Sequence, residues 1–254
     1  MIPLQKMLRS WPVFGPLRAL RRNWRQSRTL AARCHLLVPL VERNSLCFDI
    51  GAYQGWYTEA FLRLGGRVVA VEPQPALAAA LQQRFFSTRG VTVIPKAMGA
   101  NEGSARLFIS NTAYHSSLRQ DWLDYIRPNE PDALQGVVEV EVTTLDRLIA
   151  EFGCPDFIKI DVEGAELNVL HGLHQPVPAL SLEYHMGRLE DAAACLGYLG
   201  GLARYAAANF TVGHTGAFCL TDWMHPADVL AILQERRSRN ASEWGDLYLR
   251  HMER

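Results

Sequence analysis

At 254 residues the chain is long enough to bury a large core and suits one α/β domain with an appendage. Its 26 basic and 26 acidic residues cancel, so bulk charge neither selects nor excludes an acidic partner. Five scattered cysteines (Cys34, Cys47, Cys154, Cys195 and Cys219), never spaced C-x-x-C, argue against a disulfide framework or a zinc site, and no apolar run approaches the ~18–20 residues of a membrane span. Without a secretory signal pattern either, a cytoplasmic protein is expected.

Charge is unevenly placed. Residues 1–41 carry eight Lys or Arg and no acid, which leaves 18 basic against 26 acidic residues in 42–254. From Phe14 to Ala32 this arm has helical periodicity, with Leu17, Leu20, Trp24 and Ala31 on one side and Arg18, Arg21, Arg22 and Arg25 on another. Such a helix packs on the body with its arginines in solvent, lies on an anionic membrane surface, meets nucleic acid phosphate, or serves as a lid over a substrate.

From Leu46 short β-branched runs alternate with helical patterns, the signature of parallel strands joined by crossover helices. LCFDIG is the first strand, followed by a helix from Tyr57 to Leu64 that stops at Gly65-Gly66. RVVAVEP is the second strand, Ala76 to Phe85 its helix, and VTVIPKA the third. GSARLFIS and VVEVEVTTLD read as strands flanking a polar insertion, Asn111 to Gly136, whose length marks it as a candidate lid or acceptor loop. PDFIKID and PALSLEYH are the fourth and fifth core strands, separated by a helix from Ala165 to His171 that Gly172 closes as a left-handed cap. CLGYLGGLARYAA and WGDLYLRH complete the sheet edge.

The charged residues of FIKIDVEGAE require a reason, because a strand covered on both faces is nearly all Val, Ile and Leu and an unpaired buried charge costs several kcal/mol. Asp49, Glu72 and Asp161 each stand at or near the C-terminal end of a strand, where an open α/β sheet has its ligand crevice. Asp161 and Glu163 therefore face a cleft, and Glu163 lies near a helix N-terminus that favours its charge. Lys159 runs toward Asp161 or Glu183, a choice the sequence leaves open. Gly51 and Gly55 in the first strand-to-helix turn let a ligand approach the backbone, but G-x-x-x-G is not the G-x-G-x-x-G of a dinucleotide site. Glu72 suits two vicinal ribose hydroxyls. No metal site is assigned: Asp161, Glu183 and His185 could gather around a hard cation, but strand-end acids without fixed spacing are weak evidence. Trp56, Tyr57, Tyr114, Trp122 and Tyr125 are core or loop anchors by default, with stacking of Trp122 on a sugar as the sharper alternative.

Four ordered blocks, FDIGAYQGWYT, VVAVEPQP, VEVTTLDRLI and FIKIDVEGAELNVLHGL, resemble the FkbM-type methyltransferases, a branch of the class I S-adenosylmethionine-dependent fold. The likeness covers about Leu46 to Tyr198, and the final WGDLYLR resembles the family's last strand. It implies a Rossmann-like sheet, mostly parallel with an antiparallel edge strand, formed by residues 42–254 behind the helical extension 1–41. It also implies S-adenosyl-L-methionine held by Asp49, Gly51, Ala52, Gly55, Tyr57 and Thr58 in the first block, by Glu72 and Pro73, by Lys96 and Ala97 beside the adenine, and by Ser117 of the Ser116-Ser117 pair. Asp161 would lie beside the reacting methyl. Tyr53 departs from the family's usual Asn. Candidate catalytic groups are Asp161, His185, His115 and Lys159, with either histidine a base if within hydrogen-bond reach of an acceptor hydroxyl. The reading is O-methylation of a small molecule, glycan or secondary metabolite. The alternatives are a nucleic-acid methyltransferase, against which no Asn/Asp-Pro-Pro-aromatic block appears, and a non-catalytic cofactor-binding interaction protein. The sequence leaves the oligomeric state open.

Overall fold

The computed structural model describes residues 29–112, 115–128, 134–202, 205–213 and 215–251. The arm helix read at Phe14 to Ala32 lies outside them except for its end, which joins a helix at 29–37. Among the described residues no helix is long and apolar enough to cross a membrane.

β1 (Leu46–Ile50), α1 (Trp56–Arg63), β2 (Arg67–Val71), α2 (Pro75–Phe85) and β3 (Val91–Ile94) follow the expected alternation. β4 (Ala97–Met98) splits off from the run read as one third strand, because it pairs with β6 (Leu134–Thr143), which also forms an antiparallel ladder with β5 (Gly103–Ser110). These three strands make a small second sheet, ordered β4-β6-β5, and the insertion at its tip carries the short helix α3 (Gln120–Ile126). After α4 (Leu145–Phe152), capped by the Thr144 side chain, come β7 (Phe157–Ile160), α5 (Glu166–Leu170) and β8 (Ala179–His185). α6 (Leu189–Leu202) occupies most of the segment read as an edge strand, and only β9 (Tyr205–Phe210) is extended; α7 (Pro226–Arg237) and β10 (Trp244–His251) close the chain. The small residues of α6 pattern weakly, which hid its helical period. α7 was not foreseen, although His225 as a cap and Pro226 in the first turn are ordinary helix-start signals.

The main sheet runs β3-β2-β1-β7-β8-β10-β9. Its first five strands are parallel, and β10 is antiparallel to both neighbours, so the antiparallel strand sits one place in from the edge formed by β9. Helices cover both faces: one apolar cluster joins the sheet to α4, α5, α6 and α7, and another joins it to the helix at 29–37, α1 and α2. This is the doubly wound α/β architecture, and its strand order reverses between β1 and β7.

Gly51 and Gly55 have φ of 81° and 77°, a region that favours glycine. A Cβ on Gly51 would fall 1.8 Å from the Asp161 carbonyl oxygen, and one on Gly55 would meet Phe85 and Leu81 within 2.9 Å. Both glycines are thus required by the packing of the turn against protein, a demand the sequence reading did not include, and Gly51 also lines the cavity described below. Gly172 is likewise not a left-handed cap, since its φ is not positive; it is small because a Cβ would meet the Gly99 carbonyl oxygen at 2.3 Å. Gly51→Ala is expected to cost more stability, read from a lowered urea midpoint, than the ~1–3 kcal/mol of a strained backbone alone, because the end of β7 must also move.

Candidate active site

A cavity of about 480 Å³ opens where β1, β2, β7 and β8 end, at the point of strand-order reversal, and the small sheet and its insertion form the facing wall. That volume suits a ligand of cofactor size.

One half is built around Glu72. Its carboxylate is 2% exposed, with Oε2 accepting from the Tyr53 amide at 2.8 Å and Oε1 from the Gln74 amide at 2.9 Å. Burial pushes Glu72 up to about 7 against the opposing pull of these amides. Each oxygen keeps a lone pair for a further donor. Tyr53 itself has φ of 50°, a conformation that Asn tolerates and a tyrosine adopts at a cost, which gives physical content to its departure from the family pattern. Asp49 accepts from Thr58 Oγ1 at 2.5 Å, and burial pushes it up to about 6 despite that bond and the nearby Lys159. Arg33, from the helix at 29–37, enters this half and lies over the rings of Trp56 (5.1 Å) and Tyr57 (5.4 Å). It is 7% exposed, and its Nε has no hydrogen-bond partner.

The other half explains the charges of the FIKIDVEGAE stretch. Lys159 is 1% exposed, and its Nζ reaches Asp246 Oδ1 at 2.8 Å and Asp161 Oδ2 at 3.2 Å. Burial alone would depress the ammonium, but the charges of Asp161 and Asp246 outweigh it and hold its pKa well above the usual lysine value. The second oxygen of Asp246 accepts from Tyr57 (2.9 Å) and Tyr248 (3.3 Å). Beyond Asp161 the chain turns through two left-handed residues, Glu163 (φ 54°) and Gly164 (φ 86°). Glu166 ties this turn by accepting from the Val162 and Gly164 amides at 3.1 and 3.2 Å, so it is structural. Glu163, Glu183 and His185 line the cavity. Burial raises both glutamates well above the ordinary carboxylate range, helped by the charge of Glu183 on Glu163 and of Asp161 on Glu183. Burial lowers His185 against the pull of Glu166 and Asp161, leaving a neutral imidazole at pH 7.

The insertion is clamped to that turn. Ser117 Oγ donates to the Glu163 carbonyl at 2.7 Å, Arg119 Nη1 donates to the Gly164 carbonyl at 2.6 Å, and Ser116 Oγ donates to Gln74 Oε1 at 3.1 Å. Trp122 is 1% exposed and packs on Gly164, where a Cβ would meet its ring at 2.6 Å, and edge-on against His185 with centroids 4.7 Å apart. It is therefore an anchor and not a free stacking platform. His115 lines the cavity with its Nδ1 3.2 Å from Thr112 Oγ1; Tyr114 lies outside the described residues.

Of the residues expected at the site, Asp49, Gly51, Ala52, Tyr57, Glu72, Pro73, Lys96, Ala97, Ser117, Asp161, Lys159, His115 and His185 all line this one cavity. Gly55 and Thr58 do not: the first turns its Cα toward Phe85, and the second is fully buried behind Asp49. Lys159 lines the cavity as a charge held by two acids, which unsuits it as a base. Sequence reasoning missed Asp246, although a lone acid in the apolar run WGDLYL is the same signal as Lys159 in FIKI, and the two charges answer each other. It also missed Arg33, for which no local pattern speaks.

The chain matches the family model described as Methyltransferase FkbM domain over residues 49–239. Comparison with curated protein sequences gave no match. Among solved structures, precorrin-6y C5,15-methyltransferase from Geobacter metallireducens is 10% identical, with 89% of this chain and 87% of that chain covered and a TM-score of 0.46. A TehB-like SAM-dependent methyltransferase from Corynebacterium glutamicum is 9% identical, with 93% and 100% covered and a TM-score of 0.44. Aeropyrum pernix fibrillarin with natively bound S-adenosyl-L-methionine is 10% identical, with 87% and 73% covered and a TM-score of 0.40. Such identities say nothing about an acceptor.

Replacing Lys159 by Met leaves Asp246 buried without its cation and is expected to cost about 3–5 kcal/mol, read from the denaturant midpoint. Adding Asp246→Asn to that variant should recover part of the loss, as a double-mutant cycle would report.

Proposed function

Since the chain belongs to the FkbM methyltransferase family, whose methyl donor is S-adenosylmethionine, we propose that it methylates a hydroxyl of a small molecule or glycan. The observation that supports this reading most is the pairing, within one cavity, of a doubly anchored Glu72 with the Lys159-held Asp161.

The residues present fit the donor. Glu72 has lone pairs for two vicinal ribose hydroxyls, and the Arg33 guanidinium, a buried cation whose Nε is unbonded, matches the carboxylate of the methionine part. Lys96 and Ala97 line the side assigned to the adenine. Bound there, S-adenosylmethionine would supply a sulfonium methyl for in-line transfer to the hydroxyl oxygen, the C–S electron pair remaining on sulfur. The enzyme's task is alignment and exclusion of water. Lys159 fixes the position of Asp161, and the Asp161 carboxylate, a third exposed toward the cavity, takes the hydroxyl proton. Lys159 acts as a positioning group, and the clamped insertion supplies the acceptor wall.

The test is calorimetric titration of S-adenosylmethionine and, separately, NAD. Micromolar S-adenosylmethionine binding is expected, with none of NAD, and Glu72→Gln and Arg33→Met should each weaken it by about tenfold or more, roughly 1.4 kcal/mol. A carboxyl whose pKa is raised to about 7 is charged only above that value. Affinity should therefore fall as pH drops through about 7, approaching tenfold per unit, and this slope should flatten in Glu72→Gln. Failure of folded wild type to bind S-adenosylmethionine would remove the reading. Transfer of labelled methyl to hydroxylated acceptors, yielding a base-stable ether, tests the O-methyl part.

A further inference from the structure

We propose that Glu163, Glu183 and His185 form a site for a divalent transition-metal ion of the Mn²⁺ or Zn²⁺ kind, placed to hold the acceptor's oxygens. One ligand atom from each of these residues lies within 4.8 Å of the others. Three buried atoms here, Glu163 Oε2, Glu183 Oε2 and His185 Nε2, have no hydrogen-bond partner. Glu183 Oε2 and His185 Nε2 are 3.2 Å apart without the alignment of a hydrogen bond, and the Glu183 side chain is only 8% exposed. Buried polar atoms are almost always satisfied, so three orphans converging from two strand ends require a common partner.

Charge points to the same partner. Asp161, Glu163 and Glu183 line the same cavity as Lys159, whose ammonium is committed to Asp161 and Asp246. Two carboxylate oxygens and an imidazole nitrogen suit Mn²⁺ or Zn²⁺ better than Mg²⁺ or Ca²⁺, which prefer oxygen alone. Bonds of about 2.0–2.2 Å place such ligand atoms about 3–4 Å apart, within reach of a small rotation of these side chains. Three protein ligands leave positions for acceptor oxygens, and the ion would lower the pKa of a bound hydroxyl and orient it. The donor set includes Glu163, delivered by the left-handed turn, in place of the Asp161 considered from sequence, because the ligand atoms that converge are those of Glu163, Glu183 and His185.

The acceptor role rests on the methyl-transfer reading of the cavity, but ion binding is measured apart from it. Mn²⁺ is titrated into metal-free protein and followed by the electron paramagnetic resonance of the free ion; Zn²⁺ is followed by calorimetry, with S-adenosylhomocysteine titrated in parallel. Wild type should bind Mn²⁺ stoichiometrically. Glu183→Gln and His185→Asn, with circular dichroism and S-adenosylhomocysteine binding retained, should each weaken the ion by about 10–100-fold or more. Glu72→Gln should weaken S-adenosylhomocysteine by about tenfold or more and keep Mn²⁺. Neither ion binding to wild type, or binding unchanged in both variants, overturns the proposal. Loss of S-adenosylhomocysteine binding by wild type with Mn²⁺ intact would instead overturn the methyltransferase reading.

Discussion

The arrangement depends on one buried cation. Lys159 stands in the middle of the main sheet, in register with Asp49 of β1, and is bridged to the last strand by Asp246. An unpaired ammonium there would be costly, so the sheet can close only when β10 brings its carboxylate to the centre. The antiparallel final strand is thus more than a cover for the sheet: it completes the charge balance that lets Asp161 point into the cavity. The dependence also runs outward, because Tyr57 of α1 and Tyr248 of β10 hydrogen-bond the same carboxylate. A charge network of this kind ties the first crossover helix, the central strand and the C-terminus into one cooperative unit.

Much of this was legible in the chain. The parallel core announced itself because β1, β2, β7 and β8 are short, mostly apolar runs, the first three with Asp49, Glu72 and Asp161 at or next to their C-terminal ends, and strand ends are where an open sheet puts its ligands. Glu72 and Asp161 could be placed by that rule without any coordinates. What escaped did so for identifiable reasons. α6 is rich in Ala, Leu and Gly with little polarity on its outer face, so its period is faint and its final residues passed for a strand. β4 is two residues long, and its sheet membership is decided by a partner some forty positions away. Arg33 lies in a run of arginines where composition speaks only of surface charge, and nothing local says that one of them turns inward.

The glycines show how a correct residue can carry a second reason that its sequence context hides. Gly51 and Gly55 were read as openings for a ligand, yet each is demanded by protein atoms: the Asp161 carbonyl for one, Leu81 and Phe85 for the other. The turn matters to the site all the same, because pressing it against the end of β7 puts the Tyr53 amide on Glu72. Trp122 is a contrasting case. Of the two readings its place in a polar insertion allowed, the default one of an anchor agrees with the structure, since Gly164 accommodates its ring and His185 meets its edge, and stacking on a sugar does not.

The small β4-β6-β5 sheet has its own apolar cluster, formed by Ala97, Leu107 and Val140, while Trp122, Leu123 and Ile126 pack with Phe108 in another. Neither cluster shares a buried residue with the two that hold the main sheet. The core of the small sheet can therefore change with little repacking of the main sheet, since their buried apolar residues are disjoint, although Ala97 and Trp122 also reach the cavity or the turn beside it. Such separation makes the β5–β6 hairpin a unit whose interior can be redesigned while the seven-stranded sheet keeps its own packing.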